Sequence, residues 1–314
     1  SVYSNYPHLN MVVILTGVKT LINSDRKPKK FTLSTWVTAF TTLVLGGLAS
    51  LSLPVWAVGT VNDIVVFECG KVSSPDRSFW SPGVDVNVEH EMVASCYLIR
   101  HQNGLMVWDT GLPAAIASKP DGISIAGGKI NLFLDTPFPK LLQEFGVAPE
   151  EVKHLALSHM HADHAGNANA FAHATWYVQQ AEHEAAFSPL AKKLNFNLKT
   201  YDKLAASKTV KLSGRHDIFK DGSVVIIPAP GHTPGHQVLL VNLPSGPVLL
   251  SGDLWHFSSN HQFNRVPGFN YDHKQTLESM KSINELIATT GAKLLIQHDK
   301  EQNGQIPHAP KYLR

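Results

Sequence analysis

Cysteine is scarce in this sequence, and neither sign of charge dominates. The 314 residues include 2 cysteines, and 27 basic side chains stand against 25 acidic ones, for a formal net charge of +2. Such a balance gives no broad positive face for a polyanion, so we do not expect nucleic acid as a partner. The sequence also lacks solenoid repeats and low-complexity linkers, which favours one continuous domain after the N-terminal segment.

The two cysteines leave two alternatives open. Cys69 and Cys96 each fall in a strand-like stretch. They are either two buried thiols or, in an oxidising compartment, one disulfide, because spacing alone does not show whether their backbones lie within bridging distance.

Residues 1–57 differ in composition from the rest of the chain. A basic cluster, Arg26 to Lys30, precedes an uncharged and largely apolar run, Trp36 to Ala57, which closes with Val-Trp-Ala. This order is typical of an export signal and predicts a mature N-terminus near Val58 and a periplasmic or secreted protein. An apolar run of about 20 residues can also span a bilayer, so a retained membrane anchor and a buried helix are the alternatives. Residues 58–314 are expected to form one folded domain.

After Val58, short apolar runs alternate with turns and helical segments. The predicted strands are Ile64 to Cys69, Ser95 to Arg100, Leu105 to Asp109, His154 to Leu157, Thr175 to Val178, Val224 to Pro228, Gln237 to Leu243, Val248 to Ser251 and Lys293 to Gln297. The predicted helices are Pro139 to Phe145, Gly166 to Ala172, Gln179 to Phe187 and Gln275 to Thr290. Runs of strands with helices between the runs predict an α+β protein, compatible with a four-layer αββα sandwich.

The chemistry is concentrated in histidines, of which there are 17. Four potential metal ligands follow the strand predicted to end at Leu157: His159, His161, Asp163 and His164. The first two are two positions apart, so in an extended segment they project to the same side and can bind one ion. The other two fall at the turn into the next helix and can bind a second ion. Imidazole and carboxylate together suit zinc, and four ligands within six positions argue against surface histidines met by chance.

Three further ligand-type residues each follow a predicted strand: His232, Asp253 and His298. Placement at strand ends lets a rigid sheet hold the ligands within the tolerance that metal geometry demands. The first of them lies in the loop Ala-Pro-Gly-His-Thr-Pro-Gly-His, whose last residue, His236, is interpreted as a packing or supporting residue rather than as a ligand.

The pattern His-x-His-x-Asp-His, then Gly-His-Thr-Pro-Gly-His, then Gly-Asp and a late histidine resembles the metallo-β-lactamase superfamily from about Ile64 to the C-terminus. Within it, the chain is most similar to the N-acyl homoserine lactone lactonases. The resemblance implies the four-layer αββα fold and two zinc ions, with other divalent transition metals as alternatives. It implies a first metal on His159, His161 and His232, a second on Asp163, His164 and His298, and Asp253 as the bridge. Asp109 would orient a histidine ligand, unless it only caps a turn.

The same resemblance implies a hydrolase that opens the ring of a small N-acyl homoserine lactone. A hydroxide that bridges the two ions would attack the carbonyl carbon, and Asp163 would carry its proton to the leaving alkoxide. A β-lactamase, a thioester hydrolase and a phosphotriester hydrolase share this kind of site and are the alternatives. The oligomeric state stays open, a homodimer included, and a membrane partner is expected only if the leader is retained.

One position departs from the best-known lactonases, which carry a tyrosine three residues after the bridging aspartate. This chain has His256 there. We expect its imidazole to donate a hydrogen bond to the substrate carbonyl, with a surface histidine of no role as the alternative. Four nearby apolar residues are predicted to line an acyl pocket or else to be ordinary core: Phe257, Phe263, Val266 and Phe269.

Overall fold

Two β-sheets lie face to face in the computed structural model, which describes residues 61–314. The predicted export signal, Trp36 to Ala57, and the predicted mature start at Val58 lie outside the described residues. From residue 61 to 314, none of the helices combines the length and the apolar character that crossing a bilayer requires.

The first sheet has eight strands in the order β4-β5-β1-β2-β3-β6-β7-β8. They are β1 (Val61–Ser74), β2 (His90–His101), β3 (Gly104–Trp108), β4 (Ile123–Ile125), β5 (Ile130–Phe133), β6 (Val152–Ala156), β7 (Thr175–Gln179) and β8 (Thr209–Leu212). Strands β3, β6, β7 and β8 are parallel to one another, so their carboxyl ends lie at the same edge.

The second sheet has five strands in the order β13-β12-β11-β10-β9. They are β9 (His216–Asp217), β10 (Val224–Pro228), β11 (Gln237–Leu243), β12 (Gly246–Leu250) and β13 (Lys293–Leu295). β12 and β13 are parallel, and the other pairs in this sheet are antiparallel.

The α-helices are α1 (Phe138–Phe145), α2 (Ala162–Ala165), α3 (Gln180–Ala186), α4 (Leu190–Lys193), α5 (Ser258–Phe263), α6 (His273–Thr290) and α7 (Lys300–Asn303). Single 3₁₀ turns occupy Arg77–Phe79, Ala114–Ser118, Ala126–Gly128, Pro149–Glu151, Ala168–Phe171, Leu198–Thr200, Asp202–Ala206 and Gly252–Leu254.

Strand alternation divides the core into layers. In β1, Val65 packs on the outer side against the helix α1, whereas Val66 faces the second sheet. In β11, Leu239 faces the first sheet, and Leu240 packs on the outer side against α6. Because successive side chains of a strand point to opposite faces, each sheet has one face toward the other sheet and one toward helices. The predicted four-layer αββα sandwich is therefore confirmed.

The predicted elements overlap observed ones, with one helical prediction displaced. Two strands, Val224–Pro228 and Gln237–Leu243, have the predicted bounds. The helix predicted at Gly166 to Ala172 is instead the short helix α2, which ends at Ala165, followed by a separate 3₁₀ turn. The reason is tertiary: the side-chain amide of Asn167 donates to the carbonyls of Thr110 and Leu112, which holds this segment against the preceding loop.

Cys69 and Cys96 form a disulfide between β1 and β2, with their Cα atoms 5.9 Å apart. The sequence left two buried thiols and one disulfide as alternatives, and the structure has the disulfide. The loop after β3 packs directly on it: a Cβ at Gly111 would lie 2.2 Å from the Cβ of Cys69, and Gly111 has a φ of +65°. Only glycine fits this left-handed position over the disulfide.

Candidate metal centre

All seven predicted ligands lie in segments that follow the carboxyl ends of strands, and the fold brings them together. The loop after β6 supplies His159 and His161, and the short helix α2 that follows it supplies Asp163 and His164. The strands β10, β12 and β13 are followed by His232, Asp253 and His298. They form two adjacent groups of possible metal ligands, one with His159, His161, His232 and Asp253, the other with Asp163, His164 and His298.

Three imidazoles of the first group point one nitrogen at a common centre. The Nε2 of His159 lies 2.8 Å from the Nδ1 of His161 and 3.2 Å from the Nε2 of His232, and the last two nitrogens are 3.1 Å apart. Ligands around a tetrahedral zinc ion, each at about 2.0–2.1 Å, lie about 3.3 Å from one another. The three nitrogens therefore already have nearly the mutual spacing of a coordination site.

The second group is built in the same way around two imidazoles and a carboxylate. The Nε2 atoms of His164 and His298 are 3.1 Å apart. The Oδ2 of Asp163 lies 3.5 Å from the nitrogen of His298 and 3.8 Å from that of His164.

Asp253 lies between the two groups and offers one oxygen to each. Its Oδ1 is 3.0 Å from the Nε2 of His164 and 3.0 Å from that of His298. Its Oδ2 is 3.3 Å from the Nε2 of His232 and 3.7 Å from that of His159. A carboxylate in this position can link two ions.

The outer nitrogen of each of the five histidines has an acceptor. The pairs are His159 with Ser158 Oγ at 3.0 Å, His161 with the Leu194 carbonyl at 3.1 Å, His232 with Asn270 Oδ1 at 2.9 Å, His164 with Asp109 Oδ2 at 2.9 Å and His298 with the Val93 carbonyl at 2.7 Å. A neutral imidazole has one N–H, and these partners place it on the outside. With the N–H groups on the outside, the five inward nitrogens can present lone pairs to a bound cation, so the donor set fits two metal ions.

The electrostatics of the cluster agree with this arrangement. Burial alone would raise the pKa of the Asp253 carboxyl, but the neighbouring histidines, His164 and His298 first, hold it well below its ordinary value. Burial lowers the pKa of His164, yet the carboxylates of Asp253, Asp163 and Asp109 raise it well above that of a free histidine. The cluster thus favours a positive charge at its centre, which a metal ion supplies.

Asp109 makes the contact predicted for it and organises the start of the ligand loop as well. Its Oδ2 accepts the Nδ1–H of His164, and the Ser158 hydroxyl donates to the same oxygen at 2.8 Å. Its Oδ1 accepts the backbone N–H of Ser158 at 2.6 Å. One carboxylate therefore fixes a ligand and the residue that precedes His159.

Comparison with known proteins agrees with the fold and the site. The family model for the metallo-β-lactamase superfamily matches residues 91–298, which include all seven ligand-type residues. The chain belongs to the metallo-β-lactamase superfamily. An N-acyl homoserine lactonase, AttM, of Rhizobium johnstonii is 31% identical over 71% of this chain and 88% of its own. AttM of Azorhizobium caulinodans is 30% identical over the same shares.

Solved structures share the fold. An N-acyl homoserine lactone hydrolase, with the product N-hexanoyl-L-homoserine bound at its catalytic metal centre, superposes with a TM-score of 0.72 at 25% identity, over 81% of this chain and 100% of that one. A dizinc quorum-quenching lactonase, AidC, with a TM-score of 0.58 at 17% identity, shares the fold over 78% of this chain and 92% of its own.

In this superfamily member, two further histidines stand close to the ligands. His236 has both ring nitrogens engaged, since it donates to the Ala229 carbonyl at 3.0 Å and accepts the backbone N–H of Asp253 at 2.9 Å. It supports a ligand and lies outside both ligand groups, in keeping with the interpretation from sequence.

His256 places its Nε2 3.2 Å from the Oδ2 of Asp253, and its ring stacks on that of His298 at 5.7 Å. Burial lowers the pKa of His256 to about 4, which leaves a neutral ring with one N–H.

A cleft of about 530 Å³ opens over the metal-ligand cluster. One side is apolar and is formed by Val72, Trp80, Met92, Ile130, Leu132 and Phe269. Of the four residues predicted to line an acyl pocket, only Phe269 lines this cleft. Phe257 lies under the guanidinium of Arg77, Phe263 is 56% exposed away from the cleft, and Val266 packs in the outer core beside α6.

Sequence reasoning missed the residues that orient His159 and His232. The position of Ser158 could have indicated its role, because it directly precedes the first histidine of the motif. No sequence feature indicates the role of Asn270, because it is 38 positions from His232 and reaches it only through the turn before α6.

Proposed function

We propose that this chain is a dinuclear zinc hydrolase that opens the lactone ring of N-acyl homoserine lactones. The observation that carries the proposal is the position of Asp253, whose two oxygens face two separate groups of inward lone pairs at the base of a cleft. Curated relatives, among them a Bacillus sp protein 29% identical over 69% of this chain, are named N-acyl homoserine lactonases.

The first ion would be held by His159, His161 and His232, and the second by Asp163, His164 and His298, with Asp253 shared. Five imidazoles and two carboxylates are ligands that suit zinc, and other divalent transition metals can occupy the same set. Two such ions, when bound, supply a strong Lewis acid that deprotonates water near neutral pH and stabilises negative charge on a carbonyl oxygen.

The protein's own part is proton transfer and orientation. Hydrolysis adds the oxygen of water to the lactone carbonyl carbon and breaks the bond from that carbon to the ring oxygen, which must receive a proton. Asp163 lines the cleft and is the ligand carboxylate that is partly open to it, with 28% of its side chain exposed. We assign it the transfer of the water proton to the ring oxygen.

His256 is proposed to donate a hydrogen bond to the substrate carbonyl, in the place where the best-known lactonases have tyrosine. It is buried at the base of the cleft beside Asp253 and carries one N–H at neutral pH. In the substrate-free arrangement this N–H faces the Oδ2 of Asp253, at the edge of the first group.

The apolar side of the cleft supports an acyl substrate. It begins at the metal-ligand cluster and runs past Trp80 and Met92 to Phe269. Burying an alkyl chain on such a surface contributes about 0.8 kcal/mol per CH₂ group. A β-lactam or a glutathione thioester, which is more polar, would gain less from it.

The test is one preparation assayed for metal and for substrates. We expect about two transition-metal ions per chain and a kcat/KM for N-hexanoyl homoserine lactone well above those for a penicillin, a glutathione thioester and an aryl phosphotriester. Asp253→Ala should lose at least one ion and nearly all activity, whereas Asp135→Ala, at a side chain that is 92% exposed, should lose neither. Full turnover by protein verified to be free of metal would overturn the proposal. If a thioester or a β-lactam had a higher kcat/KM than the lactone, that class would become the proposed substrate.

We also propose that the protein is exported and acts in the periplasm or outside the cell, with residues 1–57 as a leader and residues 58–314 as the hydrolase domain. The basic cluster and the apolar run support this, and so does the Cys69–Cys96 bond, because structural disulfides are rare in reducing compartments.

A further inference from the structure

Glu182 is a buried carboxylate that the proposed mechanism does not use. It lies in the first turn of α3 and is 1% exposed. Its Oε1 accepts the backbone N–H of Met160 at 3.0 Å, and its Oε2 accepts the backbone N–H of Gly235 at 2.8 Å. Burial raises the pKa of Glu182 to about 7. A carboxyl at such a position is unfavourable unless it makes specific contacts, since a buried polar group is costly.

The two N–H groups belong to the two loops that carry the three histidines of the first ligand group. Met160 lies between His159 and His161, and Gly235 lies between His232 and His236. One side chain therefore joins the loop after β6, in the first sheet, to the loop after β10, in the second sheet.

The loop after β10 also packs directly against α3, the helix that contains Glu182. A Cβ at Gly235 would lie 2.3 Å from the backbone nitrogen of Glu182 and 2.6 Å from its Cβ. Only a residue without a side chain allows this approach, so the distance between the loop and α3 is fixed by backbone contact.

The second ligand group is held by other contacts. His164 is oriented by Asp109, and His298 by the carbonyl of Val93 in β2. Neither contact involves α3. A change at Glu182 therefore reaches the first group directly. It reaches the second group only indirectly, through the shared Asp253 and through the segment after β6 that continues to Asp163 and His164.

We propose that Glu182 is a positioning residue for the first metal ion, setting the spacing between the imidazoles of His159 and His161 and that of His232 by accepting one N–H from each loop. The inference rests on the proposed function only in that the first group binds a metal ion.

The experiment is stepwise titration of metal-free protein with Co²⁺ and with Zn²⁺, followed by visible absorption and by competition with a chromophoric chelator. It compares wild type, E182A, E182Q and the control E184Q, which changes an exposed carboxylate in the same helix. E182Q keeps the volume and one acceptor oxygen, but its amide group faces the second N–H as a donor. We expect both Glu182 variants to weaken one of the two metal steps by about 10- to 100-fold, the range seen for residues that orient ligands. The other step should change by less than about threefold, and E184Q should match wild type.

Amide hydrogen exchange in the metal-free proteins gives a second readout. The amides of Met160 and Gly235 should both exchange faster in E182A than in wild type, because both acceptor oxygens are lost, while those near His298 stay unchanged. In E182Q, which keeps one acceptor oxygen, at least one of the two amides should exchange faster. If wild type binds two ions and E182Q binds both equally well, the inference fails and the proposed function stands. Equal weakening of both steps together with a lower Tm would assign Glu182 a general structural role and also overturn it. A wild type that binds no metal ion would overturn both.

Discussion

The backbone N–H of Asp253 donates to the Nε2 of His236 across 2.9 Å, and the opposite nitrogen of the same ring donates to the Ala229 carbonyl. The shared carboxylate of the metal-ligand cluster is thus held through its main chain by a histidine that is not itself among the ligands. Gly252 allows this approach, since a Cβ there would lie 2.7 Å from the same Nε2.

The first prediction is that His236→Ala weakens metal binding without removing a ligand. The substitution leaves the buried N–H of Asp253 without an acceptor, which costs about 1–3 kcal/mol, and frees the bridging carboxylate to shift. We expect metal affinity to fall by about tenfold or more, measured by chelator competition, and kcat to fall with it. His273→Ala, at an exposed position in α6, is the control. Wild-type metal affinity in His236→Ala would show that the contact does not matter.

Much of this centre could be predicted because its ligands are encoded locally. Four ligands, between His159 and His164, follow one buried strand, and each of the other three follows a different strand. Predicting the strands is therefore enough to place all seven ligands at the ends of the sheets. Boundaries set by packing could not be predicted in this way. The segment from Gly166 leaves the helix because Asn167 is held by carbonyls more than 50 positions away, a contact that no local pattern contains.

The cleft was harder to predict than the ligands. Its apolar side comes from Val72 in β1, Met92 in β2 and the pair β4–β5, which are distant in sequence from the motifs. The strands β4 and β5 were not predicted, since they are short and only partly buried. Phe257 and Phe263 are close to Asp253 in sequence, but they lie at the two ends of helix α5. Phe257 is buried under Arg77 and Phe263 is exposed, so neither lines the cleft.

The second prediction concerns acyl-chain recognition by Phe269. Its ring lies at the cleft and stacks on Phe79 with centroids 4.9 Å apart. Phe269→Ala removes part of the apolar surface, for which a loss of about 1 kcal/mol is expected, or roughly fivefold. The loss should appear as a higher KM for N-decanoyl homoserine lactone, with kcat nearly unchanged and the N-butanoyl substrate little affected. Phe263→Ala, outside the cleft, is the control, and equal losses for both chain lengths would count against an acyl-binding role.

The third prediction concerns the disulfide. Cys69 and Cys96 are 27 positions apart, and a cross-link over such a loop stabilises a fold by about 3–4 kcal/mol through the unfolded state. The double variant Cys69→Ala/Cys96→Ala should lose about that much free energy of unfolding in urea titration. Wild type under reducing conditions should behave like the double variant. A difference below about 1 kcal/mol, with the bond verified by mass spectrometry, would contradict the expectation.

The fourth prediction concerns the leader. Mass spectrometry of protein from its native cell should find an N-terminus near Val58, because the basic cluster, the uncharged apolar run and Val55-Trp56-Ala57 together form an export signal. An intact Trp36 to Ala57 segment in a membrane fraction would favour the retained anchor.

The last prediction concerns His256, whose role rests on position. Its Nε2 lies 3.2 Å from Asp253 at the base of the cleft, so its N–H can reach a carbonyl oxygen bound beside the first group. Losing one donor to a developing oxyanion typically lowers kcat on the order of a hundredfold, and because metal ions would share this task we expect about tenfold for His256→Phe. Metal content should stay at the wild-type value, and His256→Tyr should retain most of the activity, since a phenol also donates one hydrogen bond. Unchanged kcat and kcat/KM in His256→Phe would remove the role. A loss of metal in the same variant would mean instead that the N–H of His256 serves to hold the Oδ2 of Asp253, the partner that it has in the substrate-free arrangement.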